Sequence, residues 1–149
     1  MNMRPSVDSW ALDLADHAAK RSRDPSTKVG AVILRPDNTV ASMGYNGFPR
    51  HTNDSAEIYL DRQRKLLRTV HAELNAILTA REPLHGYTIY VSPLFSCANC
   101  AASIIQSGIS RIVCRMPAES ITRWKESFDE AQNLFKEAKI TVDIHHISL

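Results

Sequence analysis

Two periods of hydrophobic and polar residues alternate along this chain, one typical of helices and one typical of strands. Apolar positions recur every three or four residues over 6–21, which predicts an amphipathic helix with Ser6 as its N-cap. Residues 29–34 are almost continuously apolar and predict a buried strand. The Pro-Asp-Asn sequence at 36–38 predicts a turn into a second strand at 39–45, so these two strands should form a hairpin.

The rest of the chain predicts helices and strands in alternation. Polar residues, glycine and proline at 46–55 indicate a loop, and the charged segment 58–70 indicates a short helix or an exposed, partly ordered segment. Gly108 is expected to follow the end of a helix, because glycine adopts the left-handed backbone conformation found there. A hairpin followed by this alternation predicts an α/β fold with one mixed sheet and helices on both faces. We predict helices at 71–80, 97–107 and 119–138, and strands at 88–91, 111–114 and 141–145.

Length and composition indicate one compact domain over 1–149, with no membrane and no nucleic-acid partner. Of the 149 residues, 44% are hydrophobic and 23% are charged, and the formal net charge is +2. This charge is too small to indicate nucleic-acid binding, and no apolar run reaches the roughly 18 residues of a membrane span. The first residues, 1–8, contain no apolar signal-peptide core. Three cysteines, two of them in a C-x-x-C, favour a reducing compartment, so we expect a cytoplasmic protein.

Two short motifs carry candidate metal chemistry. His71 and Glu73 stand two residues apart, and Cys97 and Cys100 stand three residues apart. One imidazole and two thiolates leave the fourth position of a tetrahedral zinc open, as in catalytic zinc sites. The pattern matches H-x-E…P-C-x-x-C, the signature of zinc deaminases, except that Ser96 replaces the proline. Because serine is a good N-cap, Ser96 is expected to satisfy a free N–H of the helix that follows.

These motifs lie at the starts of predicted helices, which explains how they can share one ion. His71 and Glu73 are two residues apart and would point apart in mid-helix, but both can reach a metal that lies beyond the end of the helix. Cys97 and Cys100 are three residues apart and lie on one face of a first turn. The positive end of that helix favours thiolates. Zinc lowers the pKa of a bound water to about 7, and Glu73 can then carry protons. A redox pair and half of a structural zinc site are the other interpretations, but the chain has no second C-x-x-C.

Four sequence blocks resemble deoxycytidylate (dCMP) deaminases, which belong to the cytidine-deaminase-like zinc enzymes. The resemblance extends from about Leu14 to Val142. The two zinc blocks are shared with cytidine, tRNA-adenosine, guanine and riboflavin-pathway deaminases, whereas the other two indicate the nucleotide-monophosphate branch. The blocks are SRDPSTKVGA at 22–31, GYNGFP at 44–49, HAELNAI at 71–77 and CANCA at 97–101.

This resemblance implies a three-layer α/β/α fold around a mixed five-stranded sheet. It implies hydrolysis of dCMP to dUMP and ammonia, which supplies dUMP for dTMP synthesis. It also implies one catalytic Zn²⁺ per chain, with His71, Cys97 and Cys100 as ligands and Glu73 as the catalytic proton carrier. Members of the family are often homo-oligomers, in many cases hexamers, that dCTP activates and dTTP inhibits.

A nucleoside monophosphate also needs cationic or backbone donors for its phosphate. Arg23 and Lys28 flank a polar loop that is predicted to contribute to the phosphate pocket, although its Asp-Pro pair also simply turns the chain. Asn46 ends the second predicted strand, where relatives use an asparagine to hold the sugar and orient the base. The basic run 62–68 is interpreted as a solvated face, with a phosphate or effector role as the alternative. The predicted substrate-binding residues are Ser22, Arg23, Thr27, Lys28, Asn46 and Ala72.

The segment 44–50 is the candidate effector site. In regulated relatives this segment helps to form an effector pocket between subunits, but its glycines also allow a sharp exit from a strand. His51 and Asn53 stand where such relatives often have glycine and aspartate, so allosteric control stays an open prediction. The candidate effector-binding residues are Gly44, Tyr45, Gly47 and Arg50.

Two further functions compete with dCMP deamination. One is a deaminase of another cytosine nucleotide, dCTP or a modified dCMP, or of another amino-nucleobase. The other is a catalytically silent, zinc-stabilised protein that senses nucleotides, although a purely structural zinc site needs no Glu73. Cys114 is assigned to buried packing, and Trp124 and Phe128 are assigned to the core or to a subunit interface.

Overall fold

The computed structural model describes residues 3–118 and 124–147, which contain six helices and five strands. No helix in these two segments is long and apolar enough to cross a membrane. The helices are α1 Val7–Ala19, α2 Ala56–Leu60, α3 Arg62–Arg68, α4 Ala72–Thr79, α5 Ala98–Gln106 and α6 Lys125–Glu137. The strands are β1 Gly30–Leu34, β2 Val40–Tyr45, β3 Thr88–Ser92, β4 Arg111–Pro117 and β5 Thr141–Ile147.

All five strands form one sheet in the order β2-β1-β3-β4-β5. Strand β1 pairs antiparallel with β2 and with β3, whereas β3, β4 and β5 are parallel to one another. Parallel neighbours need crossover connections, which α5 and α6 supply. The predicted hairpin and the predicted mixed sheet are therefore confirmed.

Strand β1 is buried along its whole length, because helices cover the sheet on both faces. Successive side chains of a strand point to opposite faces. Val32 and Leu34 pack in a core with Leu12 of α1. Ala31 and Ile33 belong to the larger core on the other face, to which α4, α5 and α6 contribute. Burial on both faces explains the continuous apolar run of β1, and the three-layer α/β/α fold is confirmed.

The charged segment 58–70 contains ordered helix. Helices α2 and α3 meet at Asp61, whose carboxylate caps α3 by accepting from the backbone N–H of Arg64 at 3.2 Å. Beyond α3, Val70 pairs with Gly47 through two backbone hydrogen bonds of 2.8 and 3.1 Å. This pairing fixes the chain immediately before the first metal motif.

Two local predictions differ from the structure. The periodicity of 71–80 predicts that Leu78 faces the core, but this residue is 66% exposed. The reason is that α4 packs through the small residues Ala72 and Ala76, which lie on the other side of this short helix. The last helix begins at Lys125, and the earlier part of its predicted range, 119–123, lies outside the described residues.

An ion-pair network ties α1 to β4 and β5. The Arg111 guanidinium lies 2.7 Å from a carboxylate oxygen of Asp8 and 2.7 Å from one of Asp143. The Tyr90 hydroxyl also donates to Asp8, at 2.9 Å. The hydrogen bond from Arg111, aided by that from Tyr90, holds the pKa of Asp8 below its usual value, although partial burial opposes this shift.

We expect this network to make the stability of the fold depend on pH. A carboxyl group whose pKa is lower in the folded state contributes stability above its unfolded pKa of about 3.9, and this stability is lost as the pH falls through the folded pKa. The free energy of unfolding should therefore fall between about pH 5 and pH 2, and less steeply in Asp8→Asn. Urea denaturation across this range measures the effect, with Glu57→Gln, at an exposed position of α2, as the control. Identical pH dependence in wild type and Asp8→Asn would contradict this prediction.

Candidate metal centre and active site

The three predicted ligands converge where α4 and α5 begin. His71 is the N-cap of α4 and Cys97 is the N-cap of α5, whereas Cys100 lies in the first turn of α5. His71 Nδ1 is 3.4 Å from Cys97 Sγ and 3.3 Å from Cys100 Sγ. A tetrahedral zinc with Zn–N and Zn–S bonds of ordinary length separates such atoms by about 3.6 Å. Within 3–118 and 124–147 this is the one group of three or more potential ligands close enough to share an ion, so the donor set fits zinc.

A close approach between β2 and α4 positions the first ligand. A Cβ atom at Gly44 would lie 2.6 Å from the Ala76 nitrogen and 2.8 Å from the Ala72 carbonyl oxygen. Only glycine therefore lets α4 lie this close to the sheet. The Ser42 hydroxyl strengthens the contact by donating to the Ala76 carbonyl at 2.7 Å.

The start of α5 is held by a serine from α6. The Ser127 hydroxyl accepts from the backbone N–H of Ala98 at 2.9 Å, and Cys97 Sγ accepts from the N–H of Cys100 at 3.5 Å. The prediction that Ser96 caps this helix is wrong, because Cys97 and Ser127 already satisfy these N–H groups. Ser96 is instead fully buried, and its hydroxyl donates to the Cys97 carbonyl at 3.2 Å.

Hydrogen bonding among the candidate ligands shifts their pKa values in opposite directions. The hydrogen bond with Cys100 is the main cause that lowers the pKa of Cys97 to about 4, and His71 contributes to this shift. The same bond raises the pKa of Cys100, because its proton is the one that is shared. The bond to Cys97 raises the pKa of His71. A cation that replaces this shared proton converts both cysteines to thiolate ligands.

Glu73 lies in the first turn of α4, two residues after the histidine ligand, and is only 4% exposed. Burial raises the pKa of its carboxyl group, and the neighbouring His71 partly offsets this effect. Glu73, His71 and Cys97 line the same cleft. The structure therefore places a buried carboxylate with a raised pKa beside the predicted metal ligands.

Two kinds of surface line the rest of the cleft. One wall is apolar and includes Trp124 and Phe128. Phe128 belongs to the core and Trp124 packs against it, so their assignment to the core is confirmed, and both rings line the cleft as well. The apolar residues are Val29, Leu66, Leu94, Phe95, Trp124 and Phe128. The polar residues beyond the metal motif are Asp24, Ser26, Thr27, Asn46, Arg62, Lys65 and Thr69.

Three of the six predicted substrate-binding residues line this cleft, namely Thr27, Asn46 and Ala72. The buried Asn46 side chain fixes the loop before β1, since its Oδ1 accepts from the Val29 N–H at 2.9 Å and its Nδ2 donates to the Thr27 carbonyl at 2.9 Å. Ser22 is buried behind it and donates to the Asn46 carbonyl at 2.8 Å.

The two predicted phosphate-binding cations lie elsewhere. The Arg23 side chain is 67% exposed and pairs with Asp54 at 3.4 Å. Lys28 is exposed too, and neither residue belongs to the lining of the cleft. Their roles in phosphate binding stay predictions.

A buried ion pair was not apparent from the sequence. Lys65 Nζ lies 3.1 Å from Asp24 Oδ1 and 3.3 Å from Ser26 Oγ. The interpretation of 62–68 as a solvated face is therefore wrong for Lys65. Burial alone would raise the pKa of Asp24, but hydrogen bonds from the backbone N–H groups of Ser26 and Thr27, together with Lys65, keep it below its usual value.

The candidate effector residues lie along β2 and the loop that follows it. Tyr45 and Arg50 are exposed, and Arg50 donates to the Thr79 hydroxyl at 3.2 Å. Gly44 is buried under α4, and Gly47 pairs through its backbone with the segment before the metal motif. Effector binding by these residues stays a prediction.

Comparison with known proteins agrees with this donor set. Residues 5–116 match the family described as the cytidine and deoxycytidylate deaminase zinc-binding region. The chain is 42% identical over 140 residues to an uncharacterized deaminase of Aliivibrio fischeri, covering 91% of this chain and 93% of that protein. It is 38% identical over 132 residues to the deoxycytidylate deaminase of Mycobacterium phage D29, covering 78% of this chain and 98% of that protein.

A solved structure shares the fold. The dCMP deaminase of cyanophage S-TIM5, in complex with dCMP and dUMP, matches with a TM-score of 0.75 at 23% identity, over 96% of this chain and 99% of that chain. The match to this chain spans 53% of the length of the probable deoxycytidylate deaminase of Caenorhabditis elegans and 57% of that of Drosophila melanogaster. The structure brings His71, Cys97 and Cys100 together as possible zinc ligands, and the chain belongs to the cytidine and deoxycytidylate deaminase family.

Proposed function

We propose that this protein hydrolyses dCMP to dUMP and ammonia. The observation that carries this proposal is the buried Glu73 carboxylate in the cleft that His71 and Cys97 also line. His71, Cys97 and Cys100 would hold a zinc ion there, and such an ion would lower the pKa of water to about 7 and so provide the nucleophile. The similarity to deoxycytidylate deaminases, among them the phage enzyme, supports a cytosine nucleotide as the substrate.

Glu73 carries two protons in this proposal. It accepts a proton from the attacking water and delivers it to N3 of cytosine while the C4–O bond forms. It then takes the proton of the new hydroxyl group and delivers it to the amino group, the C4–N bond breaks, and ammonia leaves the uracil product. A carboxyl group that both accepts and donates works best with a pKa near the working pH, and burial shifts the pKa of Glu73 in that direction.

The cleft suits a pyrimidine deoxynucleotide. Leu94, Phe95 and Trp124 offer an apolar surface for a flat ring. We propose that Asn46 binds the sugar and orients the base, with Thr27 and Ala72 beside it. Each polar atom of the Asn46 amide makes one bond to the backbone, so one N–H and one lone pair remain for a ligand.

We further propose that this chain acts as one cytoplasmic deaminase domain in a homo-oligomer regulated by dCTP and dTTP. Thiol ligands stay reduced in that compartment. Leucines on α2, α3 and α4 provide exposed apolar surface for a second copy: Leu60, Leu66, Leu67 and Leu78. Light scattering after gel filtration, with and without each nucleotide, tests this part. A monomer whose activity neither nucleotide changes would contradict it.

The substrate is tested by ammonia release from dCMP, dCTP, deoxycytidine and guanine, each with zinc-loaded protein. We expect the highest kcat/KM with dCMP. A preference for dCTP or for guanine would contradict the proposed substrate and indicate another branch of the family. Release from none of the four would contradict the proposed activity.

A further inference from the structure

Arg62 supplies a positive charge to the cleft. Arg62 and Lys65 both line the cleft from α3. The charge of Lys65 is already paired with Asp24 at 3.1 Å, and both of these side chains are buried. The exposed Arg62 guanidinium, by contrast, makes no hydrogen bond or ion pair with the part of the chain that the structure describes.

The groups around Arg62 suit a phosphate. Residues three apart lie on one face of a helix, so Arg62 and Lys65 approach the cleft side by side. Ser26 Oγ lies 3.3 Å from Lys65 Nζ, and the neighbouring Thr27 also lines the cleft. The guanidinium fork of Arg62 and two hydroxyl groups are donors that match phosphate oxygens.

The negative charge of Asp24 does not oppose phosphate binding. Its carboxylate is engaged by Lys65 and by the backbone N–H groups of Ser26 and Thr27, at 2.8 and 3.1 Å. The pair of Lys65 and Asp24 is therefore close to neutral, and it holds the loop 24–27 in place. The net positive charge of this part of the cleft comes from Arg62.

We propose that Arg62 binds the 5′-phosphate of the substrate and makes the enzyme select the nucleotide over the nucleoside. Lys65 is a positioning residue, because its contacts with Asp24 and Ser26 hold the loop 24–27 in place. This inference rests on the proposed deamination of dCMP. It develops the alternative role of the basic run 62–68 and differs from the main sequence-based prediction, which assigns the phosphate to the loop with Arg23 and Lys28. Arg23 is directed to Asp54 instead.

The test compares kcat/KM for dCMP and for deoxycytidine in three variants. Arg62→Gln should lower kcat/KM for dCMP by about 10- to 100-fold, mainly through KM, because charge-assisted bonds to the phosphate are lost. Its kcat/KM for deoxycytidine, its zinc content and its melting temperature should stay at wild-type values. Arg64→Gln, an exposed position on the same helix outside the cleft lining, is the matched control. Arg23→Gln tests the rival assignment.

Three results would overturn the proposal. If Arg62→Gln and Arg64→Gln have the same kinetics, Arg62 does not bind the phosphate. The same conclusion follows if only Arg23→Gln loses the preference for dCMP over deoxycytidine. An equal loss for dCMP and deoxycytidine in Arg62→Gln would show a structural role. All three leave dCMP deamination intact, whereas a zinc-loaded wild-type protein that deaminates neither substrate contradicts both the proposed function and this inference.

Discussion

Replacement of Glu73 by glutamine should lower kcat for dCMP by about 10²- to 10⁴-fold and leave zinc binding unchanged. The amide fills nearly the same volume as the carboxylate but cannot accept a proton from water. The zinc should remain, because the three ligand atoms come from His71, Cys97 and Cys100. Steady-state kinetics with zinc measured by mass spectrometry on the same sample check both parts.

Glu57→Gln is the matched control for this substitution. Glu57 is an exposed glutamate on α2 outside the cleft lining, so its variant should keep the wild-type kcat. Full activity in Glu73→Gln would exclude Glu73 as the proton carrier. Loss of activity together with loss of zinc would instead assign Glu73 to holding the metal site.

Replacement of Lys65 by methionine should lower the free energy of unfolding by about 3–5 kcal/mol. Lys65 Nζ lies 3.1 Å from Asp24 Oδ1, and the two side chains are each 8% exposed. Loss of the ammonium leaves a buried carboxylate without its counter-charge. Among the residues that the structure describes, the backbone N–H groups of Ser26 and Thr27 are then the donors that remain to it. Urea denaturation of the zinc-loaded protein measures the change.

An exposed lysine provides the matched control. Lys125 pairs with Asp129 at 2.8 Å, but these side chains are 66% and 60% exposed, so Lys125→Met should cost less than about 1 kcal/mol. The double variant of Lys65→Met with Asp24→Asn should recover part of the lost stability, because it removes the buried charge. Equal stability of Lys65→Met and Lys125→Met would contradict the importance of the buried pair.

The zinc ligands could be predicted from sequence because their geometry is local. Cys97 and Cys100 share one turn of helix, and His71 and Glu73 lie at the start of another. The two motifs together resemble the zinc-deaminase signature, and this resemblance indicates a common site. The alternation of apolar strands and amphipathic helices likewise predicted the mixed sheet. Each of these inferences depends on neighbours within one element or on the order of elements.

Long-range contacts explain what the sequence did not reveal. The partner of Lys65 is 41 residues away, so the run of basic residues looked uniformly solvated. At the start of α5 the N-cap is Cys97, and the N–H of Ala98 donates to Ser127, which lies 29 residues further along the chain; Ser96 therefore has another role. Leu78 is exposed because the small residues of α4, rather than its leucines, meet the sheet.

The central claim is that this protein hydrolyses dCMP at the site formed by His71, Cys97 and Cys100. Its most direct test is a spectrophotometric assay of dCMP with protein that contains one zinc per chain. We predict that the cytosine absorbance disappears with one ammonia released for each dUMP formed. We also predict that a chelator stops the reaction and that added zinc restores it. Zinc-loaded wild-type protein that leaves dCMP unchanged, with dCTP also present, would contradict the claim.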